Sequence, residues 1–367
     1  MRLAVSTRKG LLDYESPTGD AEGWKLAKTS FRGSNVSTSF AVPGTDVRFA
    51  SLSLGHFGAK LHRSTDGGGT WTEVAVPVFP EGAIAYSFNQ EKPAALKEIW
   101  SFGSRELNGT TRIWAGTIPG GLFWSDDLGE SWTLCRSLWD DERRKGWFGG
   151  GKDEPGIHSI CIRPETPRTI TIAISCGGVW RSEDDGQTWN LLGKGLRAEF
   201  MPPEQQYDQN IQDAHLLVQC PAEPAGFWVQ HHNGIFASTD GAANFRELTT
   251  VPVSAFGFAV AVHPHDSRTA WFVPAQKDEV RVPVDERLVV LKTSDGGETF
   301  RELREGLPQE NAWDIVYRHA LAIDSTGERL VFGTTTGNLF ATDDGGESWT
   351  RIATHLPPIH AVHLIEE

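Results

Sequence analysis

Cysteine is scarce in this chain: 4 in 367 residues, at positions 135, 161, 176 and 220, with no C-x-x-C pair. That spacing excludes a disulfide framework or a zinc knuckle and leaves single thiols buried in or beside apolar runs. Positive charge is also short, 34 Lys and Arg against 48 Asp and Glu, for a net charge of −14. A balance of that sign argues against nonspecific binding to nucleic acid or to an anionic membrane. No stretch approaches the roughly 18 apolar residues of a membrane-spanning helix. The first ten residues contain no apolar core of signal-peptide length. The expectation is a cytoplasmic protein, monomeric or weakly homo-oligomeric, with a small-molecule partner and neither a nucleic-acid nor a membrane partner.

What the chain does have is a repeat. The segment from Arg329 to Ile352 reads as three short β-forming runs, Arg329 to Thr334, Asn338 to Thr342 and Ser348 to Ile352, each too short for a helix and separated by glycine-bearing turns. The second turn follows the pattern Ser/Thr-x-Asp-x-Gly-x-Ser/Thr-Trp/Phe. It occurs as Ser64 to Trp71, Ser125 to Trp132, Ser182 to Trp189, Thr293 to Phe300 and Thr342 to Trp349, with a decayed copy at Ser238 to Phe245. An Asp side chain can accept hydrogen bonds from the amides of its own loop, and Gly tolerates the positive φ of a sharp reversal. The terminal aromatic is expected to anchor the hairpin to its own blade. These loops lack the D-x-[DN]-x-[DN]-G spacing of a calcium loop. Successive Asp positions, 66, 127, 184, 240, 295 and 344, lie 49 to 61 residues apart, the periodicity of a propeller or a strand solenoid with insertions.

These turns carry a resemblance: the chain is similar to the Asp-box, or BNR-repeat, β-propellers, a superfamily that includes sialidases, sortilin-type receptors, certain xyloglucanases and a photosystem II assembly factor. The resemblance spans nearly the whole chain and implies an all-β, single-domain, seven-bladed propeller over residues 1–367. It implies little about function, because one fold hosts many activities.

The two chain ends complete the pattern. Residues 2–27 supply three strands without a preceding innermost one, and Pro358 to Glu366 supply one strand with no followers. Blade one is therefore expected to combine residues 357–367 with 1–28, closed by pairing of Ile359 to Ile365 with Leu3 to Thr7, which removes exposed sheet edges. Long insertions at 78–96, 139–155, 197–213 and 276–287 fall in the two connection types that open onto one end of a blade, while the Asp turns fall at the other. Function is sought on the insertion-rich face.

The polar residues expected there are Arg8, His56, Lys152, Asn210, His231, His232, Asp278, Arg281 and Arg318 for substrate binding, and Glu154, Asp213 and Tyr317 for catalysis. The run from Gly149 to Gly151 lacks the strand and helix of a phosphate loop. Aligning the innermost strands on Pro164, Pro221, Pro264, Ser325 and Glu366 puts His158, His215, Phe258, His319 and His360 in one column, six residues earlier. Blade two offers Ser37, and blade three offers Ser101 when Leu107 is taken as the anchor. With 12 His in 367 residues, chance would fill less than one of seven slots. Imidazoles delivered at one depth to a common axis suggest that His158, His215, His319 and His360 bind a divalent transition metal (Mn, Zn or Fe) or act as an acid–base cluster.

Three functions compete. The first is a hydrolase or lyase acting on a small, oxygen-rich substrate such as a sugar acid, with the ion polarising a carbonyl or activating water. Seven-bladed oligogalacturonate lyases, similar in architecture only, hold manganese with channel histidines. The second is a metal-free glycoside hydrolase of sialidase type. Sialidases have six blades, an Arg-Ile-Pro element, an arginine triad and a Tyr/Glu pair, and this sequence has no Arg-Ile-Pro and only 4 Tyr. The third is a non-catalytic protein-binding propeller, which would call for exposed aromatic or charged rim patches.

Overall fold

The computed structural model describes residues 1–367 except Phe88, Asn89, Gly151 and Glu367; Gly151 of the triglycine run thus lies outside the described residues. The fold is a seven-bladed β-propeller, each blade a four-stranded antiparallel meander. The polypeptide packs as two compact units, one of Met1–Ser39 with His215–Glu367 and one of Phe40–Ala214.

In the first unit, the inner strand of blade one is Ile359–Ile365. It pairs with Arg2–Thr7, which pairs with Gly10–Glu15 and then Lys25–Ser30. The register Leu3↔Leu364 and Val5↔Val362 joins the two chain ends as expected. Blades five, six and seven follow the same order from inner to outer strand, beginning at Ala214–Gln219, Gly257–His263 and Leu321–Ile323. Their cores are alternate residues of the inner and second strands, among them Leu3, Val5, Ala259, Trp271, Leu330, Phe332 and Ile359. Indole nitrogens join neighbouring blades: Trp228 Nε1 donates to Ser267 O at 2.8 Å and Trp271 Nε1 to Gly345 O at 2.9 Å.

The second unit holds blades three and four, whose inner strands are Glu98–Leu107 and Ile157–Arg163, and most of blade two, whose inner strand is Val36–Ala41. Ile157, Ile170, Ile172, Ile174, Trp114 and Trp180 fill its largest core. None of the four cysteines forms a disulfide; three are buried and Cys161 is half-buried.

The Asp turns work through shared donors. In the first, Ser64 Oγ donates to Asp66 Oδ1 (2.7 Å) and accepts from Gly68 N (2.8 Å), while Thr70 sends its amide to Asp66 Oδ1 and its hydroxyl to Oδ2, both at 2.8 Å. The copies at Asp127, Asp184, Asp295 and Asp344 repeat this. The decayed copy is intact in function: Asn244 Nδ2 replaces the missing hydroxyl at 2.7 Å from Asp240 Oδ2. The terminal aromatics divide: Trp349 packs against Phe332 of its own blade at 4.8 Å, as expected, whereas Trp132 reaches outside its blade. Trp132 Nε1 donates to Ala75 O, in the preceding blade, at 3.0 Å. The turn thus ties two blades together, because an indole is long enough to cross the gap.

Four of the innermost strands are interrupted near their start. The inter-strand register slips between Ile99 and Ser101, Ile157 and Ser159, Gly257 and Val260, and at His360 between Ile359 and Ala361. A bulge of this kind leaves an extra residue unpaired and re-aims its side chain. The column positions His158, Phe258 and His360 thus fall at such interruptions, and in blade three the unpaired residue is Trp100, not Ser101.

Candidate functional site

The turn residues Arg8 and Lys9 lie at the same end of blade one as the start of its inner strand, since Thr7 pairs with both Gly10 and Ile359. Arg8 N donates to Pro358 O at 3.0 Å, fixing the turn to that strand. The Asp turns lie at the opposite end of their blades, as the meander requires.

Rings near the starts of neighbouring inner strands pack together. In the first unit His215 stacks on Phe258, centroids 4.7 Å apart at 16°. Phe258 in turn meets Tyr317 edge-on at 6.2 Å, and Tyr317 stacks over His360 at 6.4 Å and 15°. Arg281 and Arg318 place their guanidinium carbons 5.4 and 5.6 Å from the Phe258 ring, where the negative π-face favours a cation. Arg281 is also paired with Asp278.

His215 is the best-oriented histidine. Its Nδ1 lies 2.6 Å from Gly257 O. A carbonyl only accepts, so Nδ1 carries the proton and Nε2 is left as a lone-pair donor, the arrangement that second-shell carbonyls impose on metal-bound imidazoles. His232, in the turn between Phe227–His231 and Gly234–Ser238, meets the His215 ring edge-on at 5.5 Å. Asp213 stands two residues before His215 on the chain, and ligand atoms of His215 and His232 lie within 4.8 Å of one another. Asp213 and His215 are buried and His232 half-buried. Asp213 Oδ1 accepts from Ser175 Oγ at 3.2 Å.

Of this pair of imidazoles, only His215 belongs to the histidine column. His360 Nε2 donates to Asn35 Oδ1 at 2.9 Å. His319 joins blade one through its backbone, its carbonyl accepting from Val362 N at 2.8 Å. His158 is buried, its Nδ1 2.9 Å from Ser159 Oγ and its ring edge-on to Trp100 at 5.5 Å. His232, which sequence reasoning gave to substrate, stands where a ligand would; the His-His-Asn turn was its signal. Phe258, the exception in the column, is the ring on which His215 stacks.

The remaining residues divide into structural and solvent-facing groups. His231 is fully buried and its Nδ1 accepts from Asn233 N at 3.2 Å, so it serves its own turn. Asn210 holds the 139–155 insertion, accepting from Trp147 Nε1 at 3.1 Å and donating to Arg143 O at 2.7 Å. His56 is exposed beside Phe57. Lys152 pairs with Glu98 at 3.2 Å. Glu154 pairs through Oε1 with Lys97 at 3.1 Å, and its Oε2 is buried with no partner among the described residues.

No family model matches this sequence, and no curated protein matches it. Solved structures do. A xyloglucanase of the GH74 class from Xanthomonas campestris superimposes with a TM-score of 0.64 at 14% identity, over 96% of this chain and 52% of that one. An ancestral GH74 enzyme gives 0.60 at 15% identity, over 88% and 39%. The YCF48 protein of Cyanidioschyzon merolae gives 0.51 at 13% identity, over 87% and 84%. The chain spans about half the length of the xyloglucanase. At these identities the likeness is one of fold. No helix among the described residues is long and apolar enough to cross a membrane.

Proposed function

We propose that the protein is a hydrolase or lyase acting on a small, oxygen-rich substrate, and that His215 and His232 hold a divalent transition-metal ion, zinc, iron or manganese, at its site. The observation that carries this reading is the bond from His215 Nδ1 to Gly257 O at 2.6 Å, which commits that imidazole to offering Nε2 beside a second histidine. Imidazoles suit zinc or iron(II), and two of them leave coordination positions open. A bound ion there supplies Lewis-acid polarisation of a carbonyl or carboxylate oxygen, or a water of lowered pKa.

The chain's own groups do the rest. Stacking on Phe258 fixes the His215 ring plane. Arg281 and Arg318, held against Phe258, attract a substrate carrying negative charge. Tyr317 supplies a phenolic proton donor against the same ring. The xyloglucanase shows that a propeller of this fold occurs in a glycan-cleaving enzyme.

The test is metal content after dialysis against zinc, iron(II) or manganese, alongside release of reducing ends and of unsaturated products from an oligosaccharide panel. The expected result is about one ion per chain and turnover, with both lost in His215→Ala and His232→Ala. Failure of the wild-type protein to bind any of the three ions, or full retention by His215→Ala, would overturn the metal reading.

A further inference from the structure

We infer that a cavity in the first unit, lined by Arg8, Asn35, Tyr317, Thr335, Pro358 and His360, is a carboxylate-recognition subsite for a sugar acid. This rests on the proposed function in taking the substrate to be oxygen-rich, and it names the class.

Charge comes first. The chain carries 14 more acidic than basic residues, yet no carboxylate lines this cavity. Its one full positive charge, the Arg8 guanidinium, makes no hydrogen bond or ion pair among the described residues, whereas Arg63, Arg105, Arg112, Arg143 and Arg301 are each closed by an Asp or Glu. A guanidinium presents paired N–H donors matched to a carboxylate.

Hydrogen-bonding capacity points the same way. Asn35 uses its Oδ1 to accept from His360 Nε2, which leaves its NH2 group as the donor without a partner. Thr335 Oγ1 accepts from Ile315 N at 3.4 Å, so its own O–H proton is unassigned, as is that of Tyr317. The walls therefore offer Arg8 N–H, Asn35 N–H, Thr335 O–H and Tyr317 O–H with no acceptor among the described residues. A surplus of donors around one cavity is matched by an anion or by a ligand rich in acceptor oxygens.

Size and shape select within that class. The volume, about 450 Å3, is far larger than a lone carboxylate or phosphate and falls in the range of small-molecule sites. The parallel rings of Tyr317 and His360 give flat faces of the kind that cover the apolar side of a pyranose. Backbone bonds hold the walls in place before any ligand arrives: Arg8 N to Pro358 O at 3.0 Å, Thr335 N to Ile315 O at 2.9 Å and Ile359 N to Thr334 O at 3.1 Å. A hexuronate fits, with its carboxylate toward Arg8 and its hydroxyls toward Asn35 and Thr335. Through Tyr317 and Phe258 the cavity is two ring contacts away from His215.

The experiment is titration calorimetry at low salt on protein stripped of metal by chelation, with D-glucuronate and D-galacturonate against D-glucose, D-galactose and inorganic phosphate. At least one uronate is expected to bind tenfold or more tighter than its neutral counterpart. Arg8→Gln should remove that preference and Asn35→Ala should weaken it severalfold, while His215→Ala leaves it unchanged. Arg8 is exposed, so Arg8→Gln should keep the wild-type melting temperature. Uronates binding no tighter than neutral sugars, equal uronate affinity in Arg8→Gln, or phosphate outcompeting both uronates would each overturn the assignment. Uronate binding with no metal uptake would sink the metal reading alone, and metal uptake with no uronate preference would sink this one alone.

Discussion

His215 and Phe258 stack at 4.7 Å with their planes 16° apart, while the His215 Nδ1 proton goes to the carbonyl of Gly257, the residue beside Phe258. One bulge thus provides both the surface and the acceptor that orient the imidazole of the neighbouring blade. The two roles can be separated. His215→Phe keeps a flat ring but leaves the Gly257 carbonyl without its donor, and should cost about 1–3 kcal/mol while abolishing metal uptake. Phe258→Ala removes the buried ring and should cost about 3–5 kcal/mol, with metal affinity weakened through the loosened imidazole. Denaturant melts and metal titration on the two variants check both halves.

The Asp turns should be structural. Asp344 accepts from Ser348 N and Thr342 Oγ1 through Oδ1 and from Ser348 Oγ through Oδ2. Asp344→Ala strands these donors and should lower stability by about 1–3 kcal/mol. Turnover per folded molecule should be unchanged, since the turn sits at the end of its blade away from the inner-strand bulges; a selective loss of activity would contradict this.

The same turns set an acid limit. Hydrogen bonds from the Thr70 amide, then from the Ser64 and Thr70 hydroxyls, hold Asp66 down to about 2. The Thr188 hydroxyl and amide, with Ser182, hold Asp184 at about 2. Asp295 is lowered further, chiefly by the Thr299 hydroxyl. A carboxyl whose folded pKa is depressed contributes stability that is complete above the unfolded value of about 3.9 and is lost as pH falls through the folded value. Stability should therefore decline between about pH 4 and pH 2. Asp66→Asn should flatten that decline. Urea melts across this range read the slope.

The fold was legible because its signals are local. The Ser/Thr, Asp and Gly of each turn bond within five residues of one another, and the closing strand pair follows from the missing strands at the two ends. Copies that had drifted were harder to read: Asn244 looked like decay, yet its amide does the work of a hydroxyl. The site was only half legible. The sequence puts four histidines in one register column, but it does not show that positions such as His158 and His360 sit in bulges, so counting back from Leu107 gives Ser101 where Trp100 is the unpaired residue. Nor could it show that His215 and His158 lie against the rings of neighbouring bulges, Phe258 and Trp100. His232 and the Arg8 cavity come from convergence of segments far apart in sequence, which no spacing rule encodes.

The last prediction concerns closure. Ile359–Ile365 is the inner strand of blade one and pairs along Arg2–Thr7 from Arg2↔Ile365 to Thr7↔Ile359. Ile359, Ala361 and Val362 are buried, and His319 O accepts from Val362 N, so this strand also bonds to the segment leading into blade seven. Removing residues 358–367 would leave Arg2–Thr7 as an unpaired edge flanked by apolar side chains, a template for intermolecular pairing. The truncated chain should accumulate as insoluble protein, and supplying the missing strand as a separate peptide during refolding should restore some soluble material. The same deletion takes away Pro358 and His360, hence two walls of the Arg8 cavity, so any rescued complex should regain uronate binding together with solubility. A soluble truncation that melts cooperatively at the wild-type temperature would show that the terminal strand pair does not hold this fold together.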